Sequence, residues 1–148
     1  MPQYKTGRVV KNRSARYHNC QHLLIGLSKC AEMFLRHSTE IMDAENRFNN
    51  SILVRQKFID HMKKDCATDY KDKTVQQAID DIKAIGLFIK LGKRGMFTVN
   101  PLYYFNHAEK YRVELIAGLM KAAKTKPIHK DSNVVAALVV PIEASIGK

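Results

Sequence analysis

The chain has 148 residues, and its 25 lysines and arginines outnumber its 14 aspartates and glutamates, giving a formal net charge of +11 with neutral histidines. This length predicts one domain with tails, and the basic excess predicts a polyanionic partner, most commonly nucleic acid. Three cysteines and a longest apolar run of only Val134 to Ile142 argue against a disulfide-stapled or membrane-spanning protein and predict a cytoplasmic location.

The N-terminal part of the chain is strongly basic. Residues 1–20 contain little periodicity, so the sequence predicts a basic N-terminal arm there, with Arg8 to Val10 as a possible short strand. The alternative is a solvated tail that binds nothing. The basic residues that precede the first acidic residue, Glu32, are Lys5, Arg8, Lys11, Arg13, Arg16 and Lys29.

Two amphipathic helices are predicted next. Apolar residues recur at helical spacing from Gln21 to about Met42, with Gly26 as a weak point in the helix. The polar stretch after this helix, residues 43–50, is predicted to be a loop or a short strand. Ser51 is a candidate N-cap for a second helix that continues to Lys64 and places Val54, Phe58 and Met62 on one face.

The most informative stretch is residues 72–101, which predicts a helix followed by a β-hairpin. The buried side of the helix is predicted from the spacing of Val75, Ala78, Ile79, Ile82 and Ile85. Gly86 stops the helix, because glycine tolerates a positive φ. The first strand is predicted to alternate, with Leu87, Ile89 and Leu91 on one side and Phe88 and Lys90 on the other. A turn with Lys93 and Arg94 at its tip leads to a returning strand over residues 96–99, which ends at Asn100-Pro101.

After Pro101 the sequence predicts one more helix, from about Ala108 to Lys124, that packs on the core or pairs with another subunit. Residues 125–148 contain Pro127, Pro141 and many small residues, and they predict a weakly ordered tail. The apolar patch in this tail, residues 134–142, is predicted to dock on another surface.

These elements predict an α+β fold that is mostly helical: a winged helix-turn-helix with an extra C-terminal helix, over residues 21–124. A helix with a polar outer face fits the major groove of DNA, and a basic hairpin tip reaches the adjacent phosphates. The link DCATDYK, residues 65–71, is longer than the three or four residues of a compact helix-turn-helix. The alternative is a small α+β domain whose hairpin contacts no partner.

The candidate DNA-binding residues lie on the helix and the hairpin. Gln76 and Gln77 are predicted to read bases, because a carboxamide bridges N6 and N7 of adenine. Asp80 and Asp81 would be repelled by phosphates, so we expect only the N-terminal end of the helix to enter the groove. The residues predicted to bind phosphates are Lys71, Lys73, Thr74, Lys90, Lys93 and Arg94.

Catalytic and metal chemistry is not predicted. The histidines and cysteines at His18, Cys20, His22 and Cys30 match no common zinc spacing. A metal-dependent nickase needs two histidines separated by one apolar residue, and no such pair occurs. No Gly-rich loop ending in Lys-Ser or Lys-Thr is present either. We therefore expect a binding protein without a cofactor rather than an enzyme.

Residues 74–106, TVQQAIDDIKAIGLFIKLGKRGMFTVNPLYYFN, resemble the RepL-type plasmid replication initiators. The shared pattern is a Thr-Val helix, an isoleucine-rich strand, a Gly-centred turn and an ending in Val-Asn-Pro, and Asn100-Pro101 is its most specific part. The resemblance extends more loosely over about four fifths of the chain. It implies a winged-helix protein that binds a plasmid or phage origin as duplex DNA and recruits host replication proteins, with a homodimer possible. The long link, the cysteines and the tail depart from the family pattern.

A transcriptional regulator built on the same domain is the alternative function. In that case the region from Tyr103 to Met120 would serve as a dimer element or a ligand pocket. The fold does not separate the two functions, because one fold carries many activities.

Overall fold

The computed structural model describes residues 15–16, 21–90, 95–106, 108–125 and 132–139. Within these ranges the helices are α1 Gln21–Leu24, α2 Lys29–Ile41, α3 Ile52–Cys66, α4 Asp72–Ala84 and α5 Glu109–Thr125, followed by a π-helical segment at Val135–Val139. The strands are β1 Ala15–Arg16, β2 Arg47–Asn49, β3 Phe88–Ile89, β4 Met96–Val99 and β5 Tyr104–Phe105.

A small antiparallel sheet is formed by three strands in the order β2-β4-β3. Phe48 of β2 lies opposite Phe97 of β4, and Phe88 of β3 lies opposite Val99. A separate two-stranded pair joins β1 to β5. The fold is therefore α+β and mostly helical, as the sequence predicted.

Aromatic side chains fill the core between α2, α3 and the sheet. The Phe34 ring lies 5.0 Å from that of Phe58 and 6.0 Å from that of Phe48, in edge-to-face contacts, and Phe88 packs 5.0 Å from Phe48. Such pairs add about 0.5–1.5 kcal/mol each to the free energy gained by burying the rings. The helix α4 packs against α2 with Val75, Ala78, Ile79 and Ile82, which are all buried.

The two helices of the central region begin and end close to their predicted bounds. Ser51 caps α3, because its side chain accepts a hydrogen bond of 3.2 Å from the backbone N–H of Val54. Helix α4 begins at Asp72, and Gly86 follows it with φ +85°, a value that favours glycine. The connection between α3 and α4 is residues 67–71, which is slightly longer than a compact helix-turn-helix link.

The single helix predicted from Gln21 to Met42 is two helices. The chain leaves α1 after Leu24, passes through Gly26 with φ +94°, and begins α2 at Lys29. Ser28 caps α2 by accepting a hydrogen bond of 3.1 Å from the N–H of Ala31. A glycine and a good N-cap residue in sequence are thus enough to break the apolar periodicity.

The predicted alternation of buried and exposed residues in β3 is wrong. Leu87, Phe88 and Ile89 are all buried, because Phe88 enters the aromatic core while residues 132–139 pack beside the strand. Both faces of β3 are therefore covered, whereas the predicted alternation would leave one face in water.

Part of the predicted weakly ordered tail belongs to the folded core. Residues 132–139, called the 132–139 segment below, bury Val134, Ala137 and Leu138. The described part of the apolar patch, residues 134–139, thus packs on its own domain. A π-helical segment departs from the 3.6-residue period, which is why the sequence pattern did not reveal it. Residues 1–14, 17–20, 126–131 and 140–148, which include most of the predicted arm, lie outside the described residues.

Across the described ranges, no helix has both the length and the apolar composition needed to cross a bilayer.

Candidate nucleic-acid interface

The first two turns of α4 present a continuous polar surface. The sequence-predicted residues that this surface brings together, all of them exposed, are Lys71, Lys73, Thr74, Gln76 and Gln77. The apolar residues on the other side of α4 pack against α2. This packing fixes the rotation of the helix about its axis and so turns the polar residues toward solvent.

The N-terminus of α4 differs from those of α2 and α3. Ser28 and Ser51 cap α2 and α3, whereas Lys71 at the start of α4 forms no side-chain cap hydrogen bond in the described structure. The first backbone N–H groups of a helix have no partner within the helix, and they carry a partial positive charge. This end of α4 can therefore accept a phosphate oxygen, with Lys71 and Lys73 beside it.

The two glutamine carboxamides are each held by a carboxylate one turn away on the same helix. Nε2 of Gln76 donates to Oδ2 of Asp72 over 2.5 Å, and Nε2 of Gln77 donates to Oδ1 of Asp81 over 2.9 Å. Both carboxamides thereby keep the Oε1 acceptor and one N–H donor for other partners.

A buried arginine holds one of these carboxylates. Nε of Arg55, on α3, donates to Oδ1 of Asp72 over 2.7 Å, and the Arg55 side chain is only 10% exposed. This hydrogen bond lowers the pKa of Asp72, with the bond from Gln76 adding to the effect and burial opposing it. Asp72 is therefore ionised at neutral pH, and α3 is tied to the start of α4.

The same arginine reaches the base of the β3–β4 hairpin through Asn50. Nη1 of Arg55 donates to Oδ1 of Asn50 over 2.8 Å, and the N–H of Asn50 donates to the carbonyl of Gly95 over 2.6 Å. A Cβ atom at Gly95 would lie 2.8 Å from the carbonyl oxygen of Asn50, so only glycine fits here. Hydrogen bonds thus connect the hairpin base to the polar end of α4.

Of the three hairpin residues predicted to bind phosphates, the structure describes one, Lys90. Lys90 is half-buried, and its Nζ lies 5.8 Å from the centre of the Phe97 ring, where the charge is attracted to the aromatic face. Lys93 and Arg94, the predicted basic tip, lie outside the described residues.

The opposite end of α4 is closed by two asparagines. Nδ2 of Asn133 donates to the carbonyls of Lys83 and Phe88, and its Oδ1 accepts from the N–H of Lys90. Nδ2 of Asn100, which is fully buried, donates to the carbonyls of Gly86 and Ala137 over 2.8 and 3.0 Å. These bonds lock the end of α4, strand β3 and the 132–139 segment together.

Helix α4 itself has a net charge of −1, from Lys73 and Lys83 against Asp72, Asp80 and Asp81, and Lys71 before it brings the sum to zero. Positive potential at this surface must therefore come from neighbouring basic residues. Arg55 pairs with Asp72, the acidic residue nearest the helix start, and offsets part of its negative charge beside Lys71 and Lys73.

Arg55, Asp72, Asn50 and Asn133 were not among the predicted site residues. One signal was available: Arg55 lies three residues before Phe58 and seven before Met62, on the buried face of α3. A basic residue within an apolar stripe indicates that its charge is paired with another side chain. The sequence around Asn133 contains no comparable indication of its role.

The described residues contain no group of three or more histidine, cysteine or acidic side chains arranged to hold a metal ion. Of the cysteines there, Cys66 is exposed and Cys30 is buried, and burial raises the pKa of the Cys30 thiol to about 11. His18 and Cys20 lie outside the described residues.

No protein-family model, curated protein or solved structure matches this chain.

Proposed function

We propose that this protein is a winged-helix DNA-binding protein that initiates plasmid or phage replication by binding duplex origin DNA and recruiting host replication proteins. Helix α4 is the reading helix, and the β3–β4 hairpin is the wing. The protein acts by binding and assembly in the cytoplasm rather than by catalysis.

The observation that carries this proposal is the order of elements around α4. Strand β2 precedes α3 and α4, the hairpin β3–β4 follows them, and the sheet order is β2-β4-β3. In this order the hairpin extends from the same small sheet against which the helices pack. The uncapped, lysine-flanked start of α4 and the hydrogen bonds from Asp72 through Arg55 to Gly95 support joint contact of helix and wing with one duplex.

Roles within the interface follow from side-chain chemistry. Lys71, Lys73 and Thr74 bind phosphates near the start of α4, while Lys90, Lys93 and Arg94 of the wing bind neighbouring phosphates, which sets affinity and register. Gln76 and Gln77 contact base edges in the major groove. Asp80 and Asp81 lie further along α4, which agrees with insertion of its N-terminal half only.

Salt dependence of binding tests the wing. Replacing Lys93 and Arg94 by alanine should weaken binding to all duplexes and reduce the slope of log K against log salt by up to about two. The matched control is Lys29→Ala with Arg36→Ala, which removes two exposed charges from α2, a helix that contributes no residue to the proposed interface. An unchanged slope in the wing variant would exclude the wing from the interface.

A second experiment separates the initiator from a transcriptional regulator with the same domain. A circular DNA that carries only this gene and its flanking sequence should persist in a host that has no other initiator for it. Loss of the circle, together with sequence-specific binding upstream of a promoter, would favour the regulator. Footprinting on the flanking DNA gives the site length and its symmetry, and hence shows whether a homodimer binds.

A further inference from the structure

The two glutamines at the start of α4 are not held in the same way. The carboxylate that binds Gln76 is itself bound by Arg55, whose side chain is 10% exposed. The carboxylate that binds Gln77 belongs to Asp81, outside the chain of bonds that begins at Arg55. Gln76 is therefore joined through Asp72 to Arg55 of α3, whereas among the described residues the Gln77 side chain is bonded to Asp81 of its own helix.

The chemistry of the carboxamide makes this difference important. Adenine in the major groove offers N7 as an acceptor and N6 as a donor, and a glutamine recognises both with one N–H and its oxygen. An amide has two N–H donors and one acceptor oxygen. After one N–H of Gln76 binds Asp72, one N–H and Oε1 are left, which are the groups that adenine requires.

We propose that Arg55 and Asp72 are positioning residues that make Gln76 the principal base-reading side chain and direct it to adenine. The buried guanidinium fixes Asp72, and Asp72 fixes which end of the Gln76 carboxamide faces the helix. Restricting the side chain before binding reduces the freedom lost on complex formation. This inference rests on the proposed function, since it concerns the same interface.

The test uses the full chain and a pool of synthetic duplexes with a randomised central segment longer than one helical turn. Selection by the wild-type protein should give a preferred site with one strongly required adenine. Gln76→Ala should lower the preference at that position by about 5- to 150-fold, the range expected for one bidentate contact, whereas Gln77→Ala should change it less than threefold.

Asp72→Ala is the decisive variant, because it removes the carboxylate that binds both Arg55 and Gln76, while the Asp72 side chain itself is 42% exposed. It should lower the preference for adenine nearly as far as Gln76→Ala does, and combining the two changes should add little. Removing a negative charge also raises affinity for every sequence alike, so the ratio between sequences is the quantity to compare. Asp81→Ala is the matched control and should leave this position unchanged.

Asp72→Asn sharpens the test. The new side-chain oxygen still accepts from Arg55, but the new amide N–H₂ then faces Gln76 and turns its carboxamide over. The exposed amide would present donors, so the preference should move from adenine toward guanine, whose O6 and N7 are acceptors. Arg55→Lys keeps the charge but not the fork that reaches both Asn50 and Asp72, and it should weaken the preference partially.

Two outcomes have distinct meanings. If Gln76→Ala abolishes the adenine preference while Asp72→Ala and Asp72→Asn keep it, the positioning roles are wrong and the proposed function stands. If the wild-type protein enriches no sequence from the pool and binds duplexes no better than the wing variant, the proposed function fails, and the inference fails with it. Thermal unfolding of each variant identifies any that is not folded.

Discussion

The two ends of α4 are held by different kinds of chemistry. At its start, exposed side chains surround a charged pair, Arg55 and Asp72, in which the carboxylate side chain is 42% exposed. At its other end, the neutral amides of Asn100 and of Asn133, which belongs to the 132–139 segment, donate to backbone carbonyls. Neutral amides keep their hydrogen bonds at any ordinary pH or salt concentration, whereas a partly exposed ion pair is weakened by salt and by acid. The end held by the asparagines, the closed end, is thus anchored to the fold, whereas the end with the ion pair, the open end, is the one proposed to bind DNA.

The largest expected effect comes from removing apolar contacts at the closed end. Leu138 is fully buried, so Leu138→Ala should lower the free energy of unfolding by about 2–5 kcal/mol through lost transfer energy and a residual cavity. Val135→Ala is the matched control, because Val135 is 43% exposed in the same segment, and it should change stability by less than about 0.5 kcal/mol. Urea unfolding measures both. Equal small effects would mean that the 132–139 segment does not belong to the folded core.

Removing the side-chain amide of Asn133, which binds the same end of α4, should cause a smaller loss of unfolding free energy. Asn133→Ala leaves the N–H of Lys90 and the carbonyl of Phe88 without their partners, and should cost about 1–3 kcal/mol. Hydrogen exchange at the Lys90 amide should become faster at the same time. Asn49→Ala, at an exposed position of β2, is the control and should have little effect. An unchanged rate of hydrogen exchange at the Lys90 amide would show that Asn133 does not hold the end of β3.

The smallest expected effect is the change in stability when Asp72, at the start of α4, is protonated at low pH. The pKa of Asp72 lies below its ordinary value of 3.8 in the folded chain, chiefly because of the Arg55 hydrogen bond. Its carboxylate therefore stabilises the fold fully above that pH, and the contribution is lost as the pH falls through the folded-state pKa. Relative to Asp72→Asn, the wild-type chain should be more stable by no more than about 1 kcal/mol at pH 7, because the pair is partly exposed.

Urea unfolding from pH 7 to pH 3 checks this prediction, and the closed end supplies the control. The advantage over Asp72→Asn should shrink below pH 3.8. The deficit of Asn133→Ala should stay constant, since an amide does not titrate. A constant advantage for Asp72 over the whole range would show that its charge contributes nothing to the open end.

The sequence predicted the parts of the fold that follow from local rules. The apolar spacing of α4, the Ser51 cap of α3 and the helix stop at Gly86 each depend on residues within one or two turns of each other. The polar surface that carries Gln76 and Gln77 could be predicted for the same reason, because burial of one side of a helix exposes the other.

The features of the fold and site that the sequence did not predict depend on contacts between residues far apart in the chain. Arg55 and Asp72 are 17 positions apart, and Asn133 binds backbone groups 43 to 50 positions earlier in the chain. The burial of Phe88 depends on a cluster that includes Phe34 and Phe48, and no pattern within β3 reveals it. Sequence spacing describes a helix or a strand, whereas these side chains take their roles from tertiary packing.

The burial of Asn100, the residue before Pro101, has a consequence for engineering. Its side chain bonds to Gly86, Leu102 and Ala137, so this dipeptide serves as a joint between three parts of the backbone and has no exposed surface with which to meet a ligand. Engineering of the DNA sequence that α4 is proposed to read should therefore begin with exposed positions on this helix and leave the joint unchanged.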